Sequence, residues 1–232
     1  MTSSTSHTPH AAFDNTDAVA RYAEGPKRNV PGYGGLLPMT RILLEERVPQ
    51  DGRVLVVGAG GGLEMEDLAL ANPAWTFDGI DPSAPMLALA ARRLHALMPR
   101  MALHEGYVQD APPGPFDGAT CLLTFHFVPH DQRLPMAREI HRRLKPGAPF
   151  VCAHLSVEDG AGSRDAWMSR YAAFLVASGS EPRQAAATRE KVEKELAILT
   201  PSQDEAILRE AGFSDVGLFY AGFTFRGWIA YA

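Results

Sequence analysis

The chain has 232 residues, a formal net charge of −5 and 46% hydrophobic residues. This length and composition fit one globular domain with a core of ordinary size. The acidic balance, without a basic run, argues against a charge-driven nucleic-acid surface and against binding to an anionic membrane. Cys121 and Cys152 lie in apolar runs and indicate buried thiols, and no apolar run approaches the roughly 20 residues of a transmembrane helix.

The amino-terminal third begins with polar sequence. Residues 1–17 lack the apolar core of a signal peptide, so we expect a flexible tail on a cytoplasmic protein. A helix is expected to begin at residues 18–22. The stretch KRNVPGYGGLLP, residues 27–38, is rich in Pro and Gly and predicts a loop, whereas residues 38–48 carry apolar side chains at helical spacing.

Short apolar segments then alternate with helical ones. Strands are predicted at residues 53–58, 75–81, 101–108, 118–127 and 149–155, and helices at 63–71, 82–98 and 131–144. Strands that alternate with helices of about 10 to 15 residues are typical of βαβ units and a parallel sheet.

The alternation stops at residues 157–200, which are helical in composition and predict an inserted helical lobe. Residues 204–210 predict a further helix, and the segments VGLFYAGF and FRGWIAYA are close enough to form a hairpin. We therefore expect an α/β fold, Rossmann-like and doubly wound, in a single domain over residues 18–232.

The segment VLVVGAGGG joins a predicted strand to a helix through a glycine loop. A strand, a glycine loop and a helix together form an architecture that binds a phosphate or a nucleoside. Gly58, Gly60 and Gly62 fit the pattern G-x-G-x-G, whereas a dinucleotide site would need its third glycine at Leu63. The loop therefore favours a nucleoside over a nicotinamide dinucleotide.

Two carboxylates follow at the ends of the next two predicted strands. Asp81 lies 19 residues after Gly62 and could accept both hydroxyls of a ribose, or cap the following helix. Asp110 could meet an adenine amino group, or form a turn before Pro112. The carboxyl ends of parallel strands are where open α/β sheets bind ligands.

Five segments resemble the successive motifs of class I S-adenosylmethionine-dependent methyltransferases: VLVVGAGGG, FDGIDPSAPML, VQDAP, FDGATCLLTFHFV and LKPGAPFVCAHLS. The resemblance covers residues 35–232 and implies a seven-stranded, mostly parallel sheet whose last strand is antiparallel. One departure is Val56, where the family usually has an acidic residue. The implied S-adenosylmethionine contacts are Gly58, Ala59, Gly60, Gly62, Asp81, Pro82, Asp110, Ala111 and Thr124.

A narrower resemblance links NVPGYGGLLPM, FHFVPH and the segment after Arg189 to the carboxy-S-adenosylmethionine synthases and their methyltransferase relatives. Those synthases make a carboxylated cofactor from S-adenosylmethionine and prephenate. The resemblance implies that Tyr33 contacts the cofactor, and that Arg189 reaches its reactive end from the partner subunit of a homodimer. A solvated helix face is the alternative for Arg189. Leu122, in place of the family's asparagine, counts against the synthase.

Methyl transfer from a sulfonium is an in-line displacement, so the protein mainly places the acceptor about 3 Å from the methyl group and excludes water. A base helps when the acceptor is a hydroxyl. His126 and His154, at the ends of the fourth and fifth predicted strands, are the catalytic candidates, with packing as the alternative. Trp167 and Tyr171 are candidates for a substrate wall, with a place in the core as the alternative.

The leading hypothesis is a methyltransferase that uses S-adenosylmethionine on a small-molecule acceptor. The alternatives are a synthase-like transfer onto the cofactor and a cofactor-binding protein without turnover. A nicotinamide oxidoreductase is the least favoured because of Leu63. We expect no metal, no nucleic-acid partner and no membrane, and the family resemblance implies a homodimer.

Overall fold

The computed structural model describes residues 25–160 and 162–232. The tail predicted for residues 1–17 and the helix predicted to begin at 18–22 lie outside the described residues. The helices are α1 (Gly25–Asn29), α2 (Tyr33–Glu45), α3 (Leu63–Ala71), α4 (Ala84–Arg93), α5 (His130–His141), α6 (Ser163–Ala177), α7 (Pro182–Glu195) and α8 (Pro201–Glu210). The strands are β1 (Arg53–Val57), β2 (Thr76–Asp81), β3 (Met101–Glu105), β4 (Gly118–Leu122), β5 (Pro149–Leu155), β6 (Ser214–Gly222) and β7 (Phe225–Tyr231).

The seven strands form one sheet in the order β3-β2-β1-β4-β5-β7-β6. The pairs from β3 to β5 are parallel, and β7 runs antiparallel to both of its neighbours. This confirms the predicted sheet and its antiparallel last strand. The strand order reverses between β1 and β4, and such a switch point opens a crevice at the carboxyl ends of the strands.

Both faces of the sheet are covered by apolar side chains. Along β1, Val54 and Val56 pack into one hydrophobic cluster, and Leu55 and Val57 pack into the other. Successive side chains of a strand point to opposite faces, so a strand buried on both sides needs an unbroken apolar run. The sequence VLVV of β1 meets this requirement and places the glycine loop at the end of a rigid strand.

The loop predicted for residues 27–38 is wrong except at residues 30–32, because residues 27–29 belong to α1 and residues 33–38 to α2. Helix α2 begins at Tyr33 and contains Pro38, after Gly32 in a left-handed conformation with φ of 79°. Its buried residues are Tyr33, Leu36, Thr40 and Leu44, which recur at helical spacing. Burial of this stripe outweighs the weak helix propensity of the glycines and proline.

The third and fourth strands end earlier than predicted. β3 ends at Glu105, where it pairs with Asp81 of β2, and the chain then forms a 3-10 helix over Val108–Asp110. β4 ends at Leu122 and is followed by a 3-10 helix over Phe125–Phe127. The hydrogen bonding between β2 and β3 stops at Asp81, because the chain leaves the sheet there and begins α4. β3 then has no strand beside it to pair with.

Helices α6 and α7 lie in the stretch predicted to hold the helical lobe and pack against each other. Ala185 is the buried residue of α7, and the remainder of this helix is half-buried or exposed. A helix with so little apolar burial depends on few tertiary contacts for its position.

A buried ion pair connects α5 to α8 on the other face of the sheet. The guanidinium of Arg133 donates to Oδ1 of Asp204 at 2.8 Å, and both side chains are buried. The same guanidinium also donates to the backbone carbonyls of Val128 and Ala197. A single side chain thereby holds together α5, α8 and the backbone at Val128 and Ala197.

Replacing Arg133 by Met should lower the free energy of unfolding by about 3–5 kcal/mol, because the buried Asp204 carboxylate would lose its guanidinium partner and keep only the imidazole of His154 beside it. Urea denaturation measures this change. The double variant R133M/D204L removes the uncompensated carboxylate and should recover most of the loss. A double variant no more stable than R133M would contradict this account.

Candidate active site

A cavity of about 850 Å³ opens at the carboxyl ends of β1, β2 and β4. The glycine loop forms one wall, and residues of α2, α5, α6 and α7 form the others. The volume lies within the range of small-molecule sites, about 300–1,000 Å³. Of the residues predicted to bind a cofactor, those that line it are Tyr33, Gly58, Ala59, Gly60, Asp81, Pro82 and Thr124.

The glycines of the loop have different roles. The N–H groups of Gly58 and Ala59 donate to the carbonyl of Ile80 at 2.8 and 3.0 Å, which ties the loop to β2. Gly58 has φ of 77°, and a side chain there would collide with Thr124. Gly62 does not line the cavity; it begins α3 with φ of 80° and packs against α4. Only the first two glycines of the pattern therefore face a ligand.

The carboxylate of Asp81 connects the glycine loop to α4. Its Oδ2 accepts the N–H of Gly60 at 2.9 Å, and its Oδ1 accepts the N–H of Ser83 at 2.9 Å. Ser83 is in turn the N-cap of α4 and accepts from the N–H of Met86. A carboxylate can accept about four hydrogen bonds, so holding the loop and binding a ribose are compatible roles for Asp81.

Asp110 and Ala111 are not among the cavity-lining residues. The carboxylate of Asp110 accepts the N–H of Tyr107 at 2.9 Å, at the start of the 3-10 helix. Ala111 is buried in the cluster beneath. The neighbouring residues Val108 and Gln109 line the cavity instead. The adenine contact of Asp110 and the cofactor contact of Ala111 stay predictions.

His126 lines the cavity and is buried. Its Nδ1 accepts the N–H of Leu155 at 3.3 Å. Burial lowers the pKa of His126 well below its ordinary value, and the nearby His154 and Arg133 act in the same direction. The imidazole is therefore neutral with its proton on Nε2, and it can donate a hydrogen bond from Nε2 but not accept a proton there.

His154 lies away from the cavity. Its Nε2 is 3.2 Å from Oδ1 of Asp204, and its ring packs against Phe125 and Trp228. It therefore belongs to the buried group around Arg133. A role in catalysis stays a prediction for His154, and it would have to act through another residue.

Of the three residues predicted to contact the substrate, one lines the cavity and two do not. Tyr171 lines the cavity, and burial raises its pKa to about 12. Trp167 is half-buried outside the lining, and Arg170 lies over its ring. Arg189 is also outside the lining; its guanidinium pairs with Asp165 at 2.5 Å and with Glu193 at 3.1 Å. The substrate contacts of these residues stay predictions.

The comparisons with known proteins begin with a family described as "Methyltransferase domain", whose profile matches residues 54–147. This segment contains the glycine loop and Asp81. A carboxy-S-adenosyl-L-methionine synthase of Chromohalobacter salexigens is 27% identical over 225 residues, which cover 95% of this chain and 83% of the relative.

Two solved structures share the fold. The phosphoethanolamine N-methyltransferase 2 of Haemonchus contortus, in complex with S-adenosyl-L-methionine, has a TM-score of 0.67 and 19% identity, covering 94% of this chain and 46% of that chain. Human N-acetylserotonin methyltransferase has a TM-score of 0.65 and 13% identity, covering 99% of this chain and 60% of that chain. This chain thus spans about half the length of each.

Residues 54–147 match the methyltransferase domain family, and the chain as a whole has the fold of S-adenosylmethionine-dependent methyltransferases. The motif resemblance is thereby confirmed, and the cofactor of this family is S-adenosylmethionine. None of the described helices is long and apolar enough to cross a bilayer.

Sequence reasoning missed three acidic residues of the cavity lining, Glu64, Glu139 and Glu195, of which Glu64 is the buried one. Glu64, in the first turn of α3, lines the cavity and is only 8% exposed. The available signal was its position two residues after the last glycine, where a helix N-terminus meets the ligand edge. Sequence reasoning also missed Phe225 of β7 and Val192 of α7, because they reach the cavity from distant parts of the chain.

For Asp81, the substitution Asp81→Asn should weaken binding of S-adenosylhomocysteine by about 1.5–3 kcal/mol, the range for a lost hydrogen bond to a charged group. The amide also cannot accept both backbone N–H groups that the carboxylate now holds. Isothermal titration calorimetry measures the affinity. Glu105→Gln is the matched control, because Glu105 is the register partner of Asp81 on β3, is exposed and lies outside the lining. Equal affinities of the two variants for S-adenosylhomocysteine would show that Asp81 acts only as a helix cap.

For His126, nitrogen-detected NMR of the imidazole should show a neutral ring with the proton on Nε2, without titration between pH 6 and 8. The reasons are its burial and the bond from the N–H of Leu155. His126→Gln assigns the signal. A ring that becomes protonated near pH 6.5 would restore His126 as a candidate base.

Proposed function

We propose that this protein transfers the methyl group of S-adenosylmethionine to a small molecule bound in the same cavity. The observation that carries the proposal is the continuity of the glycine-loop edge with a mainly apolar chamber between α5, α6 and α7. The cofactor would lie along Gly58 to Gly60 and Asp81. The acceptor would then lie toward Tyr171 and Phe225.

The charge of the lining favours an apolar or cationic acceptor. Among the described lining residues, Lys191 is the only lysine or arginine, and it is largely exposed. Glu139 and Glu195 add carboxylates to the same walls, where Glu139 pairs with Arg142 and Arg143 and Glu195 pairs with Lys191. A dicarboxylate would therefore find few partners of opposite charge, whereas an amine or an aromatic compound would be accommodated.

The residues of the cavity favour a mechanism in which the protein positions the acceptor and does not remove a proton from it. Neutral His126 carries its proton on the nitrogen that can face a ligand, and the raised pKa of Tyr171 keeps its hydroxyl protonated at neutral pH. Neither is prepared to remove a proton. The protein would orient the acceptor, exclude water and donate a hydrogen bond from His126, and the acceptor would supply its own nucleophile, such as an amine or a thiolate.

A synthase-like reaction on the cofactor is the second candidate. It is favoured by the similarity to the Chromohalobacter synthase over most of both chains and by the position of Tyr33 in the cavity lining. Against it stands the apolar Leu122 in the lining, where a polar group would be needed for a cofactor carboxylate. Arg189 would also have to leave Asp165 and Glu193 to reach a ligand.

Further parts of the proposal concern the whole chain. We propose a cytoplasmic homodimer that binds no nucleic acid, in which residues 18–232 form one domain with the helical insertion at 157–200. Support comes from the acidic net charge and from the family resemblance. Light scattering coupled to size-exclusion chromatography gives the oligomeric state.

Mass spectrometry of the ligand released from freshly purified protein is the first test. We expect S-adenosylmethionine or S-adenosylhomocysteine, followed by methyl transfer to amine or thiol acceptors in a screen. A cofactor heavier by a carboxylate would favour the synthase instead. Protein that binds neither compound at millimolar concentration would overturn the proposal, and binding without transfer to any physiological acceptor would favour a binding protein.

A further inference from the structure

Glu64 is a buried acid in the cavity that has no role in the function proposed above. Its side chain belongs to the first turn of α3, lines the cavity and is 8% exposed. Its Oε1 is fully buried, and apart from the nearby hydroxyl of Thr120 it has no hydrogen-bond partner among the described residues. A polar group buried in this way costs free energy unless a ligand completes its bonding.

The Glu64 carboxyl lies beside the strand position that lacks an acidic residue. Val56 of β1 is the register partner of Thr120 of β4, so their side chains share one face of the sheet. The hydroxyl of Thr120 lies close enough to the Glu64 carboxyl to lower its pKa through a weak hydrogen bond, and it is otherwise buried without a partner. Helix α3 thus brings a carboxyl group to the place that Val56 leaves apolar.

The surroundings of Glu64 favour its neutral form in the empty cavity. Burial raises the pKa of Glu64 to about 8, with the Thr120 hydroxyl acting against this rise and the nearby Asp67 adding to it. The thiol of the neighbouring Cys121 points to the opposite face of the sheet, and burial raises its pKa, so it adds no charge near Glu64. Among the described residues, no Lys, Arg or His is a cause of the pKa shift of Glu64. A positively charged ligand group would be its first cationic neighbour.

We propose that Glu64 binds the ammonium group of the amino-acid part of S-adenosylmethionine and releases a proton when the cofactor binds. This inference rests on the cofactor site of the proposed function. The Glu64 carboxylic acid loses its proton to solvent, and the resulting carboxylate pairs with the ligand ammonium. No other bond changes.

The direction of the pH dependence follows from this exchange. Below pH 8 the empty protein holds a proton on Glu64 that the complex does not, so cofactor affinity rises with pH. The rise stops near pH 8, where Glu64 is already ionised in the empty protein. At pH 7 we expect close to one proton released for each cofactor bound.

Calorimetry of S-adenosylhomocysteine binding, in phosphate and in Tris, measures the released proton. The wild-type protein should release close to one proton at pH 7, and its affinity should rise between pH 6 and 7.5. 5′-Methylthioadenosine, which lacks the amino-acid part, should bind without proton release. In Glu64→Gln the release should disappear, and affinity for S-adenosylhomocysteine should fall at least tenfold, while that for 5′-methylthioadenosine should stay within twofold.

The control variant is Glu66→Gln. Glu66 lies in the same turn of α3 but pairs with Arg93 at 3.0 Å outside this cavity, so proton release and affinity should match the wild type. Unchanged proton release in Glu64→Gln, or equal losses for both ligands, would overturn the role of Glu64 while leaving the cofactor site intact. Failure of the wild-type protein to bind either nucleoside would overturn the proposed function itself.

Discussion

The hydrogen bonds of the Asp81 carboxylate hold the binding edge of this protein in one geometry. One oxygen fixes the glycine loop through Gly60, and the other fixes the start of α4 through Ser83. The loop itself is bonded to the last residues of β2. Because three chain segments meet at one charged group, the cavity floor is formed before any ligand arrives. The cofactor half of the site is therefore preorganised, in the sense that little ordering remains to be done on binding.

The other half of the cavity is built differently. Its walls come from α5, α6, α7 and β7, which are far apart in the sequence. The buried pair of Arg133 and Asp204 holds α5 in place, whereas α7 depends on the burial of Ala185 and on surface contacts. The site thus combines a rigid nucleoside edge with a more loosely attached wall where the acceptor is proposed to bind.

The sequence predicted the sheet well because its signals are local. The run VLVV, the glycine loop and Asp81 lie within one βαβ unit, and their positions follow from strand and turn chemistry. The start of α2 was wrong because tertiary burial of Leu36 overrides the local glycines. His154 lies at a strand end, where we expected its side chain to face the ligand. Its side chain instead lies beside Asp204, outside the cavity lining. Which face a strand-end residue takes depends on packing partners that periodicity does not identify.

Because α7 is sparsely packed, its sequence can change during evolution at little cost in stability. Thr188, Lys191, Val192 and Glu195 face the cavity, yet the core hardly depends on this helix. Substitutions at exposed positions usually alter stability by less than about 0.5 kcal/mol. Mutations on α7 can therefore reshape this wall of the cavity, where the acceptor is proposed to bind, at little cost in stability.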